Sequence, residues 1–232
     1  MRTALRRGRE DLMEFANRMQ AGRLLAKKLG EYANRSDVVV LALPRGGVPV
    51  AYEVARALNA PLDVFLVRKL GVPGHEEFAM GAIATGGVRV MNKYVVESLG
   101  ISDRLIDEVA AKEQRELERR ERLYRGSEKP LDLAGRIVIV VDDGLATGST
   151  MTAAVDAIKR LKPAEIVVAA PVASHDACAL FNASVDSTCV CFMSPEPFEA
   201  VGRWYRHFAQ TTDGQVCYLL KHAKQSPRKH AA

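Results

Sequence analysis

A chain of 232 residues, 48% of them apolar, can bury a full hydrophobic core and is long enough for one domain, with or without a small appendage. The net charge of +5 is accounted for by residues 1–28, which hold eight Arg or Lys against three acids; a solvated amphipathic segment with snorkelling side chains explains that better than a nucleic-acid-binding arm. The four cysteines include no CxxC pair, no apolar run is long enough to span a bilayer, and the first ten residues lack a signal peptide's apolar core, so the expectation is a reduced, cytoplasmic protein without disulfide staples or membrane contact.

In chain order, Leu12, Phe15, Met19, Leu24, Leu25 and Leu29 approximate a helical stripe that ends at Gly30. Val38 to Leu43 form a short buried-type strand that stops at Pro44, Arg45, Gly46 and Gly47. Loops at strand carboxyl ends are where open α/β sheets bind ligands. Paired glycines expose backbone N–H groups there, and Arg45 supplies a forked cation suited to phosphate oxygens, although a plain strand-to-helix turn would use glycines too. Val50, Val54 and Leu58 continue as a helix, and Leu62 to Val67 make the next strand, which is read as ending on the cations Arg68 and Lys69.

Residues 70–78 are rich in turn formers and charges and read as a mobile loop, followed by a hairpin in which Phe78–Ala84 and Val88–Met91 flank Thr85, Gly86 and Gly87. His75, Glu76 and Glu77 are candidate acids or bases after closure, with solvated loop charges as the plainer reading. Asn92 and Ser102 are candidate helix caps, the second for a helix to about Tyr124 whose later half is laced with charge pairs at i,i+4 spacing.

The chain is organised around residues 138–150, VIVVDDGLATGST. Val138, Ile139, Val140 and Val141 are an unbroken β-branched run, as expected for a strand buried on both faces of a parallel sheet. The run stops at Asp142 and Asp143, passes a small-residue turn, and enters a helix at Gly148, Ser149 and Thr150. Free N–H groups and the positive dipole end at such a helix start attract an anion, so the stretch reads as a phosphate and ribose cradle. Beyond it come a strand over Glu165–Ala170, a helix over 174–183 and a fifth strand over Thr188–Met193. Cys189 and Cys191 share one face of that strand, as small buried hydrophobes or, less simply, as metal ligands. Phe198, Trp204, Tyr205, His207 and Phe208 then form an aromatic cap. The domain organisation expected is a single unit with a core at about 12–193, a hood at about 194–222 and a flexible tail at 225–232.

At VIVVDDGLATGST the sequence resembles the type I phosphoribosyltransferases, whose signature is four apolar residues, two acids and a small turn ending TGxT. The PRGG loop, Arg68 and Lys69, and the order of strands extend the resemblance over most of the chain. The stretches RKLGVPGHEEFAMGAIA and PEPFEAVGRWY resemble a less characterised bacterial subgroup of that family. The resemblance implies an α/β fold with a parallel twisted sheet flanked by helices, a small C-terminal hood over its carboxyl edge and a mobile β-hairpin loop. It implies the donor 5-phosphoribosyl 1-pyrophosphate (PRPP) and magnesium, held through PRPP and through Asp142 and Asp143 rather than by a dedicated protein cage.

By position, the resemblance makes Asp142 and Asp143 the catalytic pair that accepts hydrogen bonds from the ribose hydroxyls. Ala146, Thr147, Gly148, Ser149 and Thr150 would hold the 5-phosphate, and Arg45, Gly46, Gly47, Arg68 and Lys69 the pyrophosphate. The family's pyrophosphate loop often contains a strained or cis peptide. Ala146 stands where the hypoxanthine and guanine enzymes carry an aspartate that contacts the purine, while residues 70–78 depart from the loop of the adenine enzymes. Trp204 and Tyr205 are candidates for stacking on the acceptor, with core packing as the alternative. The expected activity is transfer of phosphoribosyl from PRPP to a nitrogenous acceptor, a purine-like base among the candidates, with release of pyrophosphate. The alternative is a PRPP-sensing regulatory protein that binds RNA or DNA without turnover, a reading weakened by the lack of any RNA-reading motif. Assembly as a homo-oligomer is compatible with the sequence.

Overall fold

The computed structural model describes residues 14–183 and 187–225; the basic positions within 1–13 and the tail at 226–232 lie outside the described residues. In chain order the elements are α1 (Arg18–Lys28), β1 (Val38–Ala42), α2 (Gly47–Leu58), β2 (Leu62–Val64), β3 (Val67–Val72), β4 (His75–Ala84), β5 (Val88–Met91), α3 (Lys93–Ser98), α4 (Asp103–Arg125), β6 (Ile137–Val141), α5 (Ser149–Lys159), β7 (Glu165–Val172), α6 (His175–Asn182), β8 (Ser187–Met193) and α7 (Asp213–Gln225).

Five strands make a central sheet in the order β2-β1-β6-β7-β8, every neighbouring pair parallel. All residues of β1 and β6 are buried, because each face of the sheet is covered. Val38, Val40, Ile137 and Ile139 face one way into a core with Leu25 of α1, Val54 of α2, Leu117 of α4 and Leu220 of α7. Val39, Leu41, Val138 and Val140 face the other way, toward Val155 and Ile158 of α5 and Phe181 of α6. Full burial of each such aliphatic side chain contributes about 1.5–3 kcal/mol. Among the described residues no helix is long and apolar enough to cross a membrane.

Several expectations need correction. The first helix begins at Arg18, where the Asn17 side chain accepts a hydrogen bond from Gln20 N; Phe15 lies outside it and pairs as a β-bridge with Tyr205. The second parallel strand ends at Val64, so Arg68 and Lys69 belong instead to β3 of a separate antiparallel sheet, β3-β4-β5. Residues 70–78, read as a loop, are mostly the β3–β4 ladder, which runs from Val67 paired with Ala84 to Val72 paired with His75. The aromatic segment 194–212 does sit at the carboxyl edge of the central sheet, but α7 packs against α2 and α4 instead of forming part of that cap.

Candidate functional site

Strand order reverses between β1 and β6: β2 follows β1 on one side of the sheet, and β7 follows β6 on the other. The crevice outside the carboxyl ends of these two strands is the topological switch point, where open α/β sheets place ligands. Loop 44–47 leaves β1 and the Asp142–Asp143 turn leaves β6, so these two segments face each other there. The Pro44–Arg45 peptide is cis. Contact between the loops is close enough to demand glycine, since a Cβ on Gly46 would lie 2.1 Å from Asp143 Oδ2.

Asp143 is held from several sides. Its N–H donates to Asp142 Oδ1 at 2.8 Å, Arg18 Nε donates to its Oδ2 at 2.7 Å, and the Tyr205 hydroxyl donates to its carbonyl oxygen at 2.5 Å. Burial, and then repulsion from Asp143, raise the Asp142 carboxyl well above the usual carboxylate range. Burial raises Asp143 as well, against the opposing pull of Arg18. Burial also pushes the Tyr205 phenol far up, with the Asp143 charge adding to it, so the hydroxyl keeps its proton and remains a donor.

After this turn the chain crosses to α6: Leu145 bridges Ala173, and Ser174 Oγ donates to Ala146 O at 2.6 Å while accepting from Ala177 N at 3.1 Å. Gly148, at φ +70, then turns the chain into α5, whose first turn has no side-chain cap from that residue. Ala146, Thr147, Ser149 and Thr150 are exposed around it. Thr147 Oγ1 accepts only from Ser149 N there, at 3.4 Å, and a solvent-facing helix start with its other N–H groups open suits an anion. Lys69 reaches this loop across the gap from β3, its Nζ donating to Ser149 Oγ at 2.8 Å.

The cations predicted to share the pyrophosphate end are therefore divided. Arg45 lies 3.9 Å from Asp213 Oδ1, an oxygen that also accepts from the Tyr124 hydroxyl at 2.5 Å. Arg68 Nε donates to Glu113 of α4 at 2.7 Å, and its side chain joins Pro44, Arg120 and Thr150 around a crevice of about 30 Å³. Lys69 reaches Ser149 at the start of α5. Sequence reasoning missed Arg18, Arg120 and Ser174, which come from helices with no motif of their own. For Arg120 the only signal was charge lacing, which its bond to Glu116 at 2.8 Å explains without reference to a ligand.

Beside the phosphate loop a cavity of about 760 Å³ is lined by Ala146, Thr147, Ser174, His175, Glu196 and Phe198, among others. Trp204 and Tyr205 are not at its wall. Both are 5% exposed and packed with Phe15 and Val172 in the cap, so neither offers an open face for stacking. Among the described residues no group of three or more His, Cys, Asp or Glu is arranged to hold a metal ion. The donor set present, two adjacent carboxylates at the rim of a phosphate-suited crevice, fits a magnesium ion carried mainly by substrate oxygens and water.

A family model described as a phosphoribosyl transferase domain matches residues 10–192. The chain belongs to the phosphoribosyl transferase family. A crystal structure of TT1426 from Thermus thermophilus is 40% identical and superposes with a TM-score of 0.79, covering 90% of this chain and 99% of that one. Rv0571c of Mycobacterium tuberculosis, which carries phosphoribosyl transferase in its name, is 45% identical over 209 residues, 90% of this chain and 47% of its own length. This phosphoribosyl transferase chain thus spans about half the length of the curated relatives it matches. The bifunctional protein PyrR of Chloroflexus aurantiacus is 32% identical over 128 residues, 54% of this chain and 64% of that protein.

Proposed function

We infer that the protein is a magnesium-dependent phosphoribosyltransferase that moves 5-phosphoribosyl from PRPP to a nitrogenous acceptor and releases pyrophosphate. The observation that carries this reading is the meeting of two carboxylates, Asp142 and Asp143, with loop 44–47 on one side and, on the other, the 146–150 loop that Lys69 of β3 contacts. Cleavage of the C1–O bond to pyrophosphate develops positive charge on the ribose and negative charge on the leaving group, as in glycoside cleavage. Catalysis then requires opposite charges preplaced on opposite sides. Asp142 and Asp143 accept the ribose hydroxyls, and residues 146–150 with Lys69 take the 5-phosphate. Arg45 and Arg68 face the pyrophosphate, where a bound magnesium ion would neutralise developing charge on the phosphate oxygens.

The cavity beside Ala146 is the seat this reading gives the acceptor. His175 and Glu196 on its wall favour an acceptor rich in N–H donors, and alanine at position 146 withdraws the carboxylate that would select hypoxanthine or guanine. A cytoplasmic location belongs to the same proposal and rests on the unpaired cysteines.

The test is incubation with PRPP, magnesium and a panel of purines, pyrimidines and small amines, with pyrophosphate and nucleotide both measured. Stoichiometric formation of the two with one acceptor class supports the reading. Tight PRPP binding without turnover on any acceptor would sink catalysis and leave a PRPP sensor.

A further inference from the structure

Arg18 stands in an unfavourable place for a cation. It is the first residue of α1, where the helix dipole is positive, yet its side chain is only 12% exposed. Three contacts offset this. Nε donates to Asp143 Oδ2 at 2.7 Å, Nη1 donates to Ala209 O at 2.7 Å, and the guanidinium carbon lies 3.9 Å from the centre of the Phe208 ring. The aromatic face and the carbonyl fix the plane of the guanidinium, and the guanidinium fixes the carboxylate. A tie whose only purpose was to join α1 to the cap had no need to end on one of two adjacent carboxylates at the switch point.

We propose that Arg18 is a positioning residue: it holds Asp143 Oδ2 so that the remaining oxygen, Oδ1, is aimed at a hydroxyl of the donor ribose. This rests on the PRPP reading above. Charged or titratable groups meet Asp143 from three directions: Asp142 beside it on the same turn, Arg18 from α1, and Tyr205 from the cap. Loop 44–47 brings only the backbone of Gly46 against the carboxylate. Arg18 is thus the one cation in contact with Asp143 among the described residues. Without it, Asp143 loses the partner that fixes its rotamer.

The experiment compares wild type with Arg18→Gln and Arg18→Lys. Binding of PRPP, of ribose 5-phosphate and of 2,3-dideoxyribose 5-phosphate is measured by calorimetry at neutral pH with magnesium present, and thermal melting serves as the control for folding. Arg18→Gln should weaken PRPP binding at neutral pH by about tenfold to a hundredfold, as for a lost hydrogen bond between charged groups. The loss should be confined to ligands that carry the ribose hydroxyls, leaving the dideoxy analogue bound as by wild type, and Arg18→Lys should recover part of it. Equal loss for the hydroxyl-bearing sugar and its dideoxy analogue in a folded Arg18→Gln protein would overturn the proposal, since a purely structural tie would weaken both alike. If Arg18→Gln fails to fold, Arg18→Lys together with Phe208→Leu, which removes the ring that orients the guanidinium, is read in the same way. Ribose 5-phosphate separates this proposal from the donor reading. Should wild type bind no PRPP, the donor reading fails, and the effect of Arg18→Gln on ribose 5-phosphate relative to its dideoxy analogue still reports whether Arg18 aims the carboxylate.

Discussion

Lys69 Nζ donates to Ser149 Oγ at 2.8 Å, joining the antiparallel sheet to the start of α5. Its neighbour Arg68 turns the other way to Glu113, as successive residues on a strand must. The two cations therefore reach different parts of the crevice. Lys69→Met should weaken ribose 5-phosphate binding about tenfold and leave pyrophosphate binding nearly unchanged, with Arg68→Met showing the reverse pattern. Competition against PRPP with the two fragments distinguishes these outcomes, and a Lys69→Met protein that loses pyrophosphate selectively would return Lys69 to the leaving-group end.

Ionising Asp142 costs the folded chain stability. Because its folded-state pKa is raised above the ordinary carboxylate value, stability of the ligand-free protein falls as pH rises through the interval between those two values. Asp142→Asn removes that cost and keeps the Oδ1 that accepts from Asp143 N. The substitution should raise the melting temperature at neutral pH, by about 2–4 °C for each 1 kcal/mol gained, while PRPP affinity falls more than about tenfold. Calorimetric melting at several pH values checks this, with the gain expected to vanish in acid.

Gly46→Ala should be felt at once in binding. Its added carbon would lie 2.1 Å from Asp143 Oδ2, so the carboxylate or the loop must shift. Overpacking of this kind costs about 1–3 kcal/mol. Urea unfolding should show that loss, and a substituted protein with wild-type stability and PRPP affinity would mean that the two loops are not in contact.

Arg125 and Asp63 are a structural pair remote from the crevice. Arg125 Nε meets both Asp63 oxygens, at 2.9 and 3.1 Å, and the same carboxylate accepts from Val64 N at 2.7 Å and Leu131 N at 3.3 Å. Arg125→Met strands a buried carboxylate and should cost about 3–5 kcal/mol, much of which the added change Asp63→Leu should return. Denaturant midpoints of the single and double variants measure both effects.

Cys178 of α6 brings its sulfur to 3.2 Å from Cys189 and 3.4 Å from Cys191. Burial pushes the three thiols up, to about 11, about 11 and about 12 in that order. Their thiolate fraction near neutral pH is therefore small, and the thiolate is the nucleophile. Iodoacetamide should label all three slowly at pH 7 and faster as pH rises, as followed by peptide mass spectrometry.

Much of the architecture was legible because it is local. The β-branched runs of β1 and β6, the caps at Asn92 and Ser102, and the glycine entry to α5 all signal within a few residues. Errors arose where distant partners decide. Phe15 has helical spacing, but Asn17 caps the helix behind it and Tyr205 captures it in a bridge. Residues 70–78 concentrate turn formers, yet most of them lie in the β3–β4 ladder, with Pro73 and Gly74 left to make the turn. The two motif loops were expected at strand carboxyl ends, and they leave β1 and β6 there. Arg18 could not be foreseen, since its partner lies 125 residues away and α1 carries no signature of the contact. Trp204 and Tyr205 looked suitable for stacking by type alone, and only their burial shows them committed to the cap.

The first described residues and the cap are knitted together: Phe15 N donates to Trp204 O, Arg206 N to Phe15 O, and His207 N to Ala16 O, at 2.8 to 3.1 Å. Synthesis runs from the amino terminus, and contacts of such long sequence separation close late. The parallel strands are complete once β8 has emerged, with residues 144–150 already made, but the contacts that orient Arg18 must wait for Phe208 and Ala209. A nascent or truncated chain that ends before residue 208 would own every motif of the crevice and still leave Asp143 without its clamp. Orientation of the Asp143 carboxylate is thereby tied to a segment made well after the motif itself.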